Sequence, residues 1–364
     1  MNVRPQRIPV MVTGVGGGSH GEQILKALRM ASTAYEIVGC DMSPVSSGLA
    51  AVDHPYLLPP AGDPDYLPVV LAVCRKHGVR ALFHGSEPEL KVMSARRDEI
   101  RAVGIFLPIN PPEVIATCMD KVRTMERLEA LGFCVPAFRR VHSLDDALSL
   151  NVLPAVIKPS VGGGGSAHTM IVQTEGELLC ATRQMLAVFP EFIIQAYVGT
   201  VDQEYTVGVL SDMDGDLLNS IAVKRFIMSS LSNSLKTPNR SGKVALGPTL
   251  AISSGVSQGE IGPYPEVARP CEDLAKALGA RGPLNIQCRL VDGKVHVFEI
   301  NPRFSGTTSL RAMVGFNEPD VLVRKHVLNE AIPFRFSYRS GVITRALAET
   351  LVEKRRFPDA RGLL

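Results

Sequence analysis

The chain has 364 residues, 45% of them hydrophobic and 21% charged, and 39 Lys and Arg set against 36 Asp and Glu leave a net charge of +3. That length exceeds one ordinary hydrophobic core and predicts two or three folded parts. The balanced composition is that of a soluble globular protein, and the scattered basic residues leave no footprint for nucleic acid.

No apolar run approaches the roughly 20 residues that a bilayer span requires. The polar residues 1–7 lack the apolar core of a signal peptide. Seven dispersed cysteines show no metal or disulfide spacing, so free thiols and a reducing, cytoplasmic setting are expected, without a membrane partner.

In chain order, residues 8–13 read as a buried strand, followed by a glycine-rich turn and a helical pattern over 22–30; residues 36–40 give a second strand ending at Asp41. Residues 16–21 fit Gly-x-Gly-x-x-Gly, and Asp41 lies where an acid would hold a dinucleotide ribose. Gly16, Gly18, Gly21 and Asp41 thus keep a nicotinamide-binding protein open as an alternative. Residues 65–77 and 88–98 look helical, and 81–84 and 105–107 strand-like. The alternation implies a small open parallel sheet with helices on both faces. Ligands sit at the carboxyl ends of such strands, so the glycine turn and the loop 85–89 fall on one edge. Pro111-Pro112 marks a domain boundary.

Two helical patterns follow, 113–118 and 121–131, with Asp120 as a cap between them. After an amphipathic stretch near 143–150, residues 155–161 form a strand that carries Lys158 and runs into Gly162, Gly163, Gly164 and Gly165; a second strand, 168–173, follows directly. Four glycines between two strands make a flap whose amides can wrap phosphates, with Lys158 as a point charge beside them. The Gly-x-x-x-x-Gly-Lys-Ser/Thr pattern is excluded, because the lysine precedes the glycines and no helix follows. Residues 175–186 read as a helix, 192–198 as a buried strand, and another strand begins at 203–207.

Residues 226–260 are the least regular stretch, rich in Ser, Gly and Pro around Lys224, Arg225, Lys236, Arg240 and Lys243. They are expected to form a substrate-facing loop that orders only with ligands bound. A helix over 265–278 leads into two β-rich runs, 284–290 and 295–301, joined across Asp292-Gly293 as a hairpin. Glu299 and Asn301 are two apart and share one face, where their oxygens can converge on a hard cation such as magnesium. Arg303 follows on that side if the chain stays extended. A plain two-residue turn would put Gln287 on the opposite face from Glu299; a three-residue loop or a bulge brings it alongside, and the latter is expected. Helices over 307–314 and 319–328 and a loose tail beyond Glu353 complete the reading.

Asp120-Lys121, the Lys158 strand with its glycine flap, residues 195–198, Gln287, Glu299-x-Asn301 and Arg303, in that order, resemble the ATP-grasp superfamily in its carbamoyl-phosphate-synthetase-like branch of carboxylate-amine ligases. The resemblance covers nearly the whole chain. It implies an α/β protein with a Rossmann-like pre-ATP-grasp domain at 1–112 and a two-lobed α+β ATP-grasp domain. Of the two lobes, 113–190 would carry the flap and 191–350 the metal and substrate site, with 351–364 as a tail.

By position, the resemblance implies that Lys121 and Lys158 bind ATP phosphates beneath Gly162, Gly163, Gly164 and Gly165. Gln195, Ala196, Tyr197 and Val198 would present groups to adenine, and Glu204 would hold the ribose hydroxyls. Gln287, Glu299 and Asn301 would carry one or two magnesium ions, with manganese as a substitute, and Arg303 would neutralise the transferred phosphoryl group. Many relatives have Glu where this chain has Gln287, whose amide oxygen ligates magnesium without charge. Glu89, Arg225, Ser305, Gly306 and Thr307 are the candidate substrate residues.

The implied function is an ATP-dependent ligase that activates a small-molecule carboxylate, an amino acid or small acid, as an acyl phosphate for attack by an amine, releasing ADP and phosphate. Such relatives often form homodimers. Alternatives are a kinase-like enzyme that releases a phosphorylated product such as carbamoyl phosphate, and a silent nucleotide-binding regulator.

Overall fold

The computed structural model describes residues 7–162, 166–351 and 357–364. Strands β1 (Ile8–Val12), β2 (Tyr35–Asp41), β3 (His54–Leu57) and β4 (Ala81–Phe83) form a parallel sheet in the order β3-β2-β1-β4. The helices of this region are α1 (His20–Arg29), α2 (Tyr66–His77), α3 (Glu87–Ala95) and α4 (Arg97–Ala102). Because both faces of the sheet are covered, β1 is apolar throughout its centre. Val10 and Val12 pack with Ile24 and Leu28 of α1, while Met11 packs with Leu67 and Val70 of α2. Strand order reverses between β1 and β4, which opens a crevice at their carboxyl ends. The turn after β1 and the Gly85-Ser86-Glu87 corner meet there, each ending in a serine that caps the next helix: Ser19 accepts from the Glu22 amide and Ser86 from the Glu89 amide. Two expectations change here. The strand expected at 105–107 is one bridge between Ala81 and Phe106, and the helix expected at 88–98 breaks at Arg96.

Helices α5 (Pro112–Cys118) and α6 (Lys121–Ala130) lead to a small antiparallel sheet in the order β5-β8-β6-β7. It is built from β5 (Phe138–Val141), β6 (Ala155–Pro159), β7 (Met170–Val172) and β8 (Phe192–Ala196), with α7 (Leu144–Ser149) and α8 (Glu175–Leu186). Next come β9 (Glu204–Ser211), β10 (Leu217–Arg225), β11 (Asn233–Pro238), β12 (Thr249–Ser253), β13 (Gly259–Gly262), α9 (Pro265–Ala277), β14 (Pro283–Val291) and β15 (Lys294–Asn301). Helices α10 (Thr308–Met313) and α11 (Glu318–His326) and strand β16 (Gly341–Ile343) follow. Six of these strands make an antiparallel sheet in the order β15-β14-β9-β10-β13-β16.

The stretch 226–260 is not the irregular loop expected from its composition. β11 and β12 pair as an antiparallel ribbon, and β13 returns to the main sheet beside β10. The ribbon seats on the sheet that carries β6 and β8: the Tyr197 hydroxyl accepts from the Ala251 amide at 2.9 Å and donates to the Ala251 carbonyl at 3.2 Å. Leu246 and Leu250 pack with Tyr197, Val156 and Ile171. Nor is the described end of the chain loose. The Leu57 amide donates to the Pro358 carbonyl at 2.9 Å, Ala360 is fully buried, and Arg361 pairs with Asp63 at 2.6 Å, so residues 357–364 extend the edge of the N-terminal sheet.

One side chain fastens the N-terminal region to the large sheet. Asn110, fully buried, donates to the Pro283 and Pro302 carbonyls at 2.8 and 3.1 Å and accepts from the Arg281 amide at 2.9 Å. It thereby fixes the backbone immediately before Arg303.

Candidate active site

The β14–β15 hairpin shows how register builds the site. Val291 pairs with Lys294 across a two-residue turn in which Asp292 and Gly293 both have positive φ, 49° and 73°, the mirror-image turn that Asp-Gly favours. That turn alone would place Gln287 opposite Phe298. The ladder instead shifts between Gln287 and Cys288, so that Gln287 faces Glu299, Cys288 faces Val297 and Phe298 is the extra residue of a bulge. The expected bulge is present, and Gln287 lies alongside Glu299. A bulge also leaves its extra residue out of the ladder, and the Phe298 carbonyl accepts from Lys158 Nζ at 3.0 Å.

Around Glu299 the side chains interlock. Asn301 Nδ2 donates to Glu299 Oε1 at 3.2 Å, and Arg303 Nη2 donates to Asn301 Oδ1 at 2.8 Å and to Glu87 Oε1 at 3.0 Å. Burial pushes the Glu299 carboxyl up, but Lys121, Lys158, the Asn301 bond and Arg303 outweigh it and hold the group below its usual range. Lys158 is pushed down from 10.5 to about 8, chiefly by burial. Lys121 opens α6 beside the flap: its amide donates to the Ser160 carbonyl at 2.8 Å and its Nζ to the Gly162 carbonyl at 3.0 Å. Asp120 caps that helix through the Arg123 amide and accepts from the Ser160 hydroxyl at 2.7 Å. The cap thus joins Lys121 to the start of the flap. Gly163, Gly164 and Gly165 lie outside the described residues.

These groups line a cleft of about 750 Å³ that runs from Val156, Gln195, Ala196, Tyr197 and Val198 at one end to Gly18, Ser19, His20 and Ser86 at the other. Lys121, Lys158, Gly162, Arg225, Gln287, Glu299, Asn301, Arg303, Ser305, Gly306 and Thr307 all contribute to its wall. Gln195 is 2% exposed, and its Nε2 has no hydrogen-bond partner among the described residues.

Two expected residues stand elsewhere. Glu89 accepts from Tyr66 at 3.0 Å, the Gly85 amide at 3.1 Å and the Ser86 hydroxyl at 2.9 Å, which fastens the corner from behind; Glu87, two residues earlier, is the carboxylate on the wall. Glu204 is set behind the wall. Its Oε1 lies 3.3 Å from Arg225 and its Oε2 3.0 Å from Arg289, with its side chain 2% exposed. Asp41 is likewise committed, accepting from the Gly16 amide at 2.7 Å and the Ser43 amide at 2.9 Å, so the acid of the Gly-x-Gly-x-x-Gly reading braces its own turn.

Sequence reasoning passed over Glu87, Lys91, Asn285, Arg289, His20 and His84. Asn285 pairs with Asn301 in the ladder, so its period-two spacing from Gln287 could have found it. His84 is pushed down to about 4 by burial and by the Arg303 guanidinium. His20 is held well below its usual value by burial, Arg303 and His84, and its Nδ1 has no partner among the described residues. Both imidazoles are therefore neutral at pH 7.

Glu299, Asn301 and Gln287 offer one carboxylate and two amide oxygens, an oxygen-only set that fits a hard cation such as magnesium. Among the described residues no group of three or more His, Cys, Asp or Glu is placed to hold a metal ion.

Comparison with known proteins agrees with the architecture. Residues 11–108 match the model of the PylC-like N-terminal domain, and residues 253–346 match that of the ATP-grasp domain in the biosynthetic pathway with Ter operon. The chain is thus an ATP-grasp protein with a PylC-like N-terminal domain. Within that class it is carbamoyl-phosphate-synthase-like: it is 26% identical over 291 residues to the carbamoyl phosphate synthase large chain of Pasteurella multocida (strain Pm70). That match covers 77% of this chain but only 24% of the relative.

The fold is also that of the L-amino acid ligase from Bacillus licheniformis, at a TM-score of 0.60 and 18% identity over 88% of this chain and 74% of that one. The biotin carboxylase domain of the Hydrogenobacter thermophilus 2-oxoglutarate carboxylase, solved with MgADP and bicarbonate, gives a TM-score of 0.57 at 15% identity over 88% and 70%.

Proposed function

We infer that the chain is an ATP-dependent ligase that joins a small carboxylic or amino acid to an amine. The γ-phosphoryl group of ATP passes to a carboxylate oxygen, giving an acyl phosphate and ADP; the amine then attacks the acyl carbon, and phosphate leaves with the oxygen it received. The observation that carries this reading is the set Lys121, Lys158, Asn301 and Arg303 converging on Glu299 at the floor of the cleft. Phosphoryl transfer asks a protein for positioned positive charge rather than a covalent nucleophile, and that is what these residues supply.

In this reading, Val198 and its neighbours receive adenine, Lys158 and Lys121 meet phosphate oxygens, and Arg303, held by Glu87 and Asn301, stabilises charge on the phosphoryl group in flight. Bound magnesium, held by Glu299 and Asn301 with Gln287 beside them, would neutralise phosphate charge further. The acid and amine would occupy the end formed by Ser86, Ser305, Gly306 and Thr307, next to the neutral His20.

The test is ADP release with magnesium-ATP against pooled carboxylic and amino acids, with hydroxylamine in parallel. ADP together with a hydroxamate is the expected result. The likeness to carbamoyl phosphate synthase favours a second reading, release of a stable phosphorylated product; ADP without hydroxamate would select it.

A further inference from the structure

Amide formation has a proton to dispose of. Once the amine nitrogen bonds to the acyl carbon it carries a positive charge, and the adduct collapses to amide as that nitrogen loses a proton. Side chains that ordinarily accept a proton at neutral pH are carboxylates and imidazoles. Among the described residues that line the cleft, these are Glu87, Glu299 and His20. Glu87 is spent on Arg303 at 3.0 Å. Glu299 accepts from Asn301 and stands under the charge of Lys121 and Lys158, at the end assigned to phosphate. His20 is left, and burial with the nearby Arg303 keeps its ring neutral.

The backbone around His20 is held firmly at the substrate end. His20 opens α1, whose cap Ser19 accepts from the Glu22 amide. Gly21 packs on the Thr13 and Gly14 carbonyls, and Gly85 packs on the same two residues, so the start of α1 and the corner that carries Ser86 are pressed against one turn. Three residues on, the buried Gln23 ties α1 to the other side of the cleft: its Oε1 accepts from the Ser309 hydroxyl at 2.5 Å and from Arg345 Nη2 at 3.1 Å. The same Arg345 Nη2 donates to the Gly306 carbonyl, within the Ser305–Thr307 turn. Two loops and a helix start from different parts of the chain therefore meet at fixed spacing around the imidazole. The ring itself is half-buried with its Nδ1 enclosed, which leaves Nε2 as the nitrogen that can meet a ligand.

We propose that His20 is the general base of the amine step, its Nε2 taking the proton from the amine nitrogen as the amide forms. The nitrogen lone pair makes the new bond to the acyl carbon, and the bond from that carbon to the phosphate oxygen breaks, its electron pair leaving with phosphate. The imidazolium then gives its proton to solvent, a return that the neighbouring charge of Arg303 favours. The base need only be neutral and within reach, because a nitrogen made cationic by acylation is a strong acid. This rests on the reading of the cleft as a carboxylate-activating site.

The experiment gives the full chain, as wild type, His20→Gln and His20→Asn, magnesium-ATP and the acid found in the pooled screen, with either the amine or hydroxylamine as acceptor. Hydroxylamine traps acyl phosphates in plain solution and needs no base. The wild type should form both products. Each variant should lose amide formation by about a hundredfold or more, the usual worth of a general base, while hydroxamate formation and its ADP release fall by no more than about threefold. Retained hydroxamate formation also shows that the variant is folded. Loss of amide and hydroxamate together in both variants, or unchanged amide formation in either, would overturn the proposal, and the products of the wild type would still stand for the reading beneath it. Hydroxamate without amide from the wild type would overturn it as well. A wild type that forms neither product would remove both the proposal and that reading.

Discussion

Replacing Lys158 by Met should make the ligand-free protein more stable and unable to use nucleotide. Lys158 is 6% exposed, and burial takes its pKa from 10.5 to about 8. At about 1.36 kcal/mol per pH unit, keeping it charged at neutral pH costs the empty fold about 3 kcal/mol. Met removes that cost but leaves the Phe298 carbonyl without its 3.0 Å donor, a loss of about 1–2 kcal/mol. The net is a gain of about 1–2 kcal/mol, or a rise of about 2 °C in melting temperature for a chain of this length.

The sign with pH is also fixed. The folded pKa is depressed, so the wild type carries the full penalty below pH 8 and sheds it as the lysine deprotonates between pH 8 and 10.5. Thermal melts of both proteins from pH 7 to 10.5 should therefore show the Met variant ahead at pH 7 and its lead shrinking above pH 8. With magnesium-ATP added, only the wild type should be stabilised. A ligand-free Lys158→Met protein that melts below the wild type at pH 7 would refute the reasoning that this lysine is kept for a ligand and against stability.

Acid should act through His84, whose folded pKa of about 4 lies below the ordinary 6.5. Its contribution to stability is whole above pH 6.5 and is lost as pH falls toward 4, by about 3 kcal/mol; His84→Gln should flatten that limb of a stability profile, and an unchanged slope would count against it. Glu318→Gln leaves the fully buried Arg311 without its 3.0 Å counter-ion, and urea unfolding should register a loss of about 3–5 kcal/mol; a loss under about 1 kcal/mol would show the pair to be dispensable. Gly21 packs against the Thr13 and Gly14 carbonyls with no room for a methyl group, so Gly21→Ala should lower stability by about 1–3 kcal/mol, read by denaturant midpoint.

What the sequence disclosed follows the range of the forces involved. Glu299, Asn301 and Gln287 were legible because strand period and turn chemistry are local, and the bulge at Phe298 was the register shift that brings Gln287 to face Glu299. Lys121 beside Asp120 was legible as a helix start. The ribbon of β11 and β12 was not, because Asn233, Ser234, Lys236 and Thr237 lack apolar alternation and the ribbon is held by Tyr197, far off in sequence. The docked end was hidden because it depends on few apolar side chains, Phe357 and Ala360 among them. The placement of Glu204 behind Arg225 and Arg289 arises where β9, β10 and β14 come together, which no spacing encodes. Glu87 took the wall position expected of Glu89 because the Ser86 cap turns Glu89 back onto its own corner.

The most direct measurement of carboxylate activation follows an oxygen atom. The acid found in the pooled screen is labelled with 18O in its carboxylate and turned over with magnesium-ATP and its amine, and the released phosphate is examined by mass spectrometry. Transfer of one 18O atom into each phosphate is the expected result, since the acyl phosphate breaks at the acyl carbon. Unlabelled phosphate formed along with the amide would contradict the mechanism.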